Sequence, residues 1–152
     1  MALTVVATVA AGCSATRSSK SSTSSSSTTS SELSLYIPSC ANYPTLQPGY
    51  HIVLQEPLKG IRHGDFVVFH SPLSQIAGAT AVSRVVGLPG ETIQAADGHV
   101  LIDNHVLAEP YLAPGTRTAD FGPVSILSRH YFLLGDNRSN PVQPNLWRAD
   151  ER

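Results

Sequence analysis

Beyond Tyr50 the chain is built of short apolar runs, each closed by glycine, proline or an Asp-Gly pair. No stretch holds a 3.6-residue apolar period long enough for a useful helix. The runs YHIVLQ (50–55), DFVVFH (65–70) and AVSRVVGL (81–88) are rich in β-branched and aromatic residues, and the last is ended by Pro89-Gly90. Such runs between turn signals read as strands. Asp97-Gly98 lies between TIQAA and HVLI; this pair accepts positive φ at both centres of a type I′ turn, so it predicts a hairpin. Asp103-Asn104 turns the chain again for HVL, and HYFLLGDN (130–137) supplies a further strand. The expected fold class is all-β: coiled antiparallel sheets in a barrel-like domain.

The N-terminal part is of another kind. From Ser18 to Ser31 every residue except Lys20 is serine or threonine. Such a segment cannot bury enough apolar surface to offset its ordering entropy, so residues 14–34 read as a disordered, flexible tether. Before it, Ala2 to Ala11 is apolar, but at helical rise it extends only roughly 15 Å, about half a bilayer core. Residues 1–13 therefore read as a leader. The AAGC ending at Cys13 resembles a bacterial lipobox, in which the cysteine is lipidated after cleavage. A lipoprotein-type signal, a truncated membrane anchor and an incidental apolar leader stay open as alternatives. Leader, tether and a folded unit over 35–152 describe a module held near a membrane face.

With 152 residues, the chain supports one domain with a real core. Ten basic and eleven acidic residues are scattered without a stripe, which excludes a nucleic-acid partner. Cys13 and Cys40, the two cysteines, are too few for a disulfide framework. The six histidines are dispersed without ligand spacing, so neither metal nor cofactor is expected.

LYIPSCANYPTL, from Leu35 to Leu46, has the form of a nucleophile loop: an apolar run, then small residues between two proline turns. Four segments together resemble the type I signal peptidases (leader peptidases, serine peptidase family S26). The family's nucleophile box, Pro-Ser-x-Ser-Met-x-Pro-Thr-Leu, is matched by Pro38-Ser39-Cys40-Ala41-Asn42-Tyr43-Pro44-Thr45-Leu46. Gly-Asp-x-Val-x-Phe is matched from Gly64 to Phe69. The base box, Lys-Arg-Val-x-Gly-x-Pro-Gly-Asp, is matched from Ser83 to Glu91, and Gly-Asp-Asn-Arg-x-Asn from Gly135 to Asn140. A segment after the base box corresponds to the hairpin and the EPYL of Glu109–Leu112. The resemblance implies a β domain that cleaves signal peptides from exported preproteins after small-x-small sequences, at the extracytoplasmic face of a bacterial membrane.

It also implies chemistry that this chain lacks. The family's serine nucleophile needs a base, and its lysine serves only if burial lowers the amine pKa. Here the nucleophile position is Ala41 and the general-base position is Ser83. Ser39 keeps the oxyanion-hole position, whose hydroxyl helps hold developing charge. The methionine position is Asn42. The Ser-x-Asp-Ser-Arg run of the family is replaced by Pro141-Val142-Gln143-Pro144-Asn145, and the chain ends at Arg152 before the family's closing strand. Arg84, Asp136, Asn137 and Arg138 read as structural residues near the site, with Arg84 and Asp136 expected to form an ion pair. The readings are a family member inactive as written, a non-catalytic peptide-binding or assembly factor for exported proteins, and a protease with a shifted nucleophile at Cys40 or Ser39. Its partners would be an exported preprotein or extended peptide with a small-x-small motif, and a membrane reached through the leader or a lipid.

Overall fold

The structure, a computed structural model, describes residues 6–7, 33–55, 60–70, 80–139 and 145–148. Among these the chain is all-β, without a helix, and so without one long and apolar enough to cross a membrane. In chain order the strands are β1 (Val6–Ala7), β2 (Leu33–Tyr36), β3 (His51–Gln55), β4 (Phe66–His70), β5 (Thr80–Gly87) and β6 (Thr92–Ala96). They continue with β7 (His99–Ile102), β8 (His105–Val106), β9 (Phe121–Ser125), β10 (His130–Leu134) and β11 (Asn145–Arg148). Cys13, most of the leader and tether, and positions 140–144 lie outside the described residues.

Among the described residues every pairing is antiparallel, in three sheets ordered β1-β3-β2, β11-β10-β5-β4 and β8-β7-β6-β9. The Asp97-Gly98 hairpin forms as the sequence predicts, with Ala96 opposite His99 and φ of 54° and 82° at the two turn residues. Asp103-Asn104 makes a second such turn, at φ of 48° and 65°. Strand β9 carries Gly122-Pro123 and has no strand signal in the sequence. It lies at a sheet edge against β6 alone, where a proline withholds no needed ladder donor. Strand β11, paired along β10, also lies in a stretch without a strand signal.

The central sheet is buried on both faces, so its strands read as nearly continuous apolar runs. Alternate residues divide between the faces. Val67 and Phe69 of β4 pack with Val85 of β5 and Leu133 of β10. Val86, Phe132 and Leu134 face the third sheet with Ile93, Val100 and Ile126. A third cluster joins Phe66 to Ile37, Leu46 and Ile52, and Val82 packs against it. Through it the loop after β2 is seated on β4 and β5. Leu133 is 2% exposed at the centre of the first cluster. Leu133→Ala is expected to lower stability by about 2–5 kcal/mol, seen as a lower urea midpoint at unchanged slope.

Candidate active site

The loop from Ile37 to Tyr50 is fastened at its ends, where Ile37 N donates to Tyr50 O and Gly49 N donates to Ile37 O. Inside it, Tyr43 N donates to Cys40 O and Leu46 N to Asn42 O, which coils the nucleophile box into successive turns. Leu46 is fully buried and anchors that coil. The turn after β10 closes against the box from the other side. Asn137 N donates to Ala41 O at 3.1 Å, and Asn137 Nδ2 donates to Cys40 O at 3.1 Å. At Gly135 a Cβ would stand 2.4 Å from the Ala41 carbonyl oxygen, so only glycine allows this approach.

Position 83 lies on the strand beside this box. Asn42 Nδ2 donates to Val82 O at 2.8 Å, which brings the box within one residue of Ser83. Ser83 is half-buried and stands opposite Val67 in the β4–β5 register. Positions 41 and 83, which the resemblance of the motifs pairs as nucleophile and base, are therefore held on adjoining segments and carry a methyl and a hydroxyl. Ser39 and Cys40 are exposed on the loop.

Arg84 supplies the frame. It forms the expected ion pair with Asp136, with Nε on Oδ1 at 2.7 Å and Nη2 on Oδ2 at 2.6 Å. Its Nη1 donates to Gly64 O at 2.6 Å. Thr45 completes the set: its hydroxyl donates to Asp136 Oδ2 at 2.5 Å and accepts from Arg84 Nη2 at 3.2 Å. The guanidinium lies between two rings, 4.1 Å from the Phe66 centroid and 3.8 Å from that of Tyr111. One side chain thus ties together the box, the turn before β4, strand β5, the turn after β10 and the EPYL segment.

A second ion pair, not foreseen from the sequence, stands beside it. Arg138 pairs with Glu109 and donates also to the Thr118 hydroxyl and, at 2.9 Å, to Gly135 O. Tyr111 links the two, since its hydroxyl donates to Glu109 Oε1 at 2.8 Å while its ring faces Arg84. The EPYL match marked this segment without showing that its acid and phenol reach the site. A polar cavity of about 470 Å³ is lined by Asp97, Gly98, Arg117, Thr118, Asp120 and Arg138, among others, and by none of Ser39, Ala41 or Ser83.

Residues 3–142 match the family model described as signal peptidase, peptidase S26. The chain belongs to that family. Signal peptidase I T of Bacillus subtilis is 36% identical over 112 residues, which cover 66% of this chain and 56% of that protein. Signal peptidase I of Leptolyngbya laminosa is 33% identical over 120 residues, covering 74% of this chain and 59% of that one. Among solved structures, a signal peptidase I of Enterococcus faecalis is similar at 28% identity and a TM-score of 0.46, over 55% of this chain and 83% of the other. The chain spans 54–61% of the length of the curated relatives it matches.

Two outcomes follow from the buried network. Removing one partner of a buried pair strands the other charge, so Asp136→Ala is expected to cost about 3–5 kcal/mol in a urea titration. Burial, and then the Glu109 carboxylate, hold the Tyr111 phenol well above its ordinary pKa of 10.0, with Arg138 and Arg84 pulling the other way. The folded state therefore keeps that proton where the unfolded chain has lost it. The stability concerned is intact below pH 10 and falls as pH rises beyond it. Urea midpoints taken from about pH 8 to pH 11 should decline less steeply for Tyr111→Phe than for the parent chain.

Proposed function

We propose that this chain is a signal-peptidase-type domain that holds an extended peptide of small-x-small sequence without cutting it. It works at the extracytoplasmic face of a bacterial membrane, tethered through its leader or through lipid on Cys13. One observation carries the reading: the Asn42–Val82 and Arg84–Asp136 contacts fix the box against β5, yet the reacting positions are Ala41 and Ser83. A methyl group cannot attack a carbonyl, and a neutral serine beside it is no base near pH 7. Ser39 retains a hydroxyl suited to an oxyanion that never forms.

Support for peptide holding comes from the sheet. Pairing of β10 with β5 ends at Leu134 opposite Arg84, so Thr80–Ser83 has β4 as its only strand neighbour among the described residues. An open edge with a loop beside it is suited to strand addition, in which main-chain bonds give affinity and alternate side chains give selectivity. The partner is then an exported preprotein or its processed product.

Incubation with a preprotein carrying Ala-x-Ala should yield no product above buffer. Cleavage abolished by Cys40→Ala or Ser39→Ala would establish a shifted nucleophile and end the non-cutting reading. Joining Ala41→Ser with Ser83→Lys should gain activity about 10²–10⁴-fold above Ala41→Ser alone, the contribution of a positioned general base. The rate of product release by mass spectrometry measures it.

A further inference from the structure

The open edge of β5 carries a contact that bears on how it is used. Ser83 is opposite Val67, and Val85 N donates to Asp65 O, so the main-chain groups of 81, 83 and 85 turn towards β4. Those of Thr80, Val82 and Arg84 turn to the other edge, where β10 reaches Arg84 through Leu134. Two residues back along that edge, the Val82 carbonyl is already taken by Asn42 Nδ2 at 2.8 Å. Asn42 is 4% exposed, and its Oδ1 is buried without a hydrogen-bond partner among the described residues. Its amide is therefore half satisfied, an uncommon state for a buried polar group. The family box has methionine here, which has no hydrogen to donate.

We infer that Asn42 is a built-in plug on the peptide edge: it holds the one β5 acceptor that an added strand needs beside Ser83. The inference rests on the peptide-holding reading and adds how that site is gated. An incoming peptide must displace the Asn42 amide before its own N–H can reach Val82 O. The loop need not unfold for this, because Asn137 N on Ala41 O and the buried Leu46 hold it independently. Plugging also protects an unpaired edge from joining other chains.

The test uses the full chain and a fluorescein-labelled, N-acetylated peptide carrying Ala-x-Ala, followed by fluorescence anisotropy. Asn42→Met and Asn42→Ala should bind about tenfold more tightly than the parent, the scale of one hydrogen bond no longer contested. Equal or weaker binding by both variants, with the parent binding, overturns the plug and leaves peptide holding in place. No binding by any of the three overturns both. Thermal melts establish that the variants are folded. If neither folds, the Asn42 side-chain amide of the ¹⁵N-labelled parent decides. At saturating peptide its protons should shift and exchange faster with water, and protection unchanged at saturation sinks the plug.

Discussion

The Arg84 guanidinium is almost removed from water, and a charge so placed persists only where each of its faces is answered. Asp136 answers it in the plane with two parallel bonds, Gly64 and Thr45 take remaining protons, and Phe66 and Tyr111 cover the flat sides. A lysine could not do this, having no planar fork to meet a carboxylate and two rings at once. Because those partners come from four separate segments besides β5, the geometry of the box follows from this one residue. Asn137 reaches the box because Asp136, its neighbour, is fixed. Arg138, the next residue, carries the tie on to Glu109 and Thr118.

Much of the fold was legible from local signals. Asp97-Gly98 and Asp103-Asn104 specify turns by a backbone need that few other residues meet, and β4, β5 and β10 announce themselves because both their faces are apolar. Strand β9 was hidden for the opposite reason: Gly122 and Pro123 are exposed at an edge, where pairing with β6 decides the conformation. The Arg84–Asp136 pair could be expected only through the family motifs. The Asn42–Val82 bond joins positions forty residues apart, and a side chain meeting a backbone carbonyl leaves no mark on periodicity. Tyr111 and Glu109 stayed unassigned likewise, because their reach depends on where the chain folds back after β8.

The shape of the box does not depend on the side chains at positions 41 and 83. Its supporting contacts are those that hold a loop to a strand, and they involve neither Ala41's methyl nor the hydroxyl of Ser83. The geometry of the loop is therefore independent of the side chains at these two positions. Such a site retains its shape because the shape is a product of folding energetics, with burial of Leu46, Phe66 and the Arg84 pair as its source.

Gly135 is the contrasting case in mutational terms. Any side chain there meets the Ala41 carbonyl at 2.4 Å, so the position tolerates no drift, whereas the side chains at 41 and 83 take no part in the contacts described above. Substitutions at 41 and 83 should thus cost little stability, while those that deform the cradle cost much. Sequence drift in such a fold is thereby steered away from the cradle.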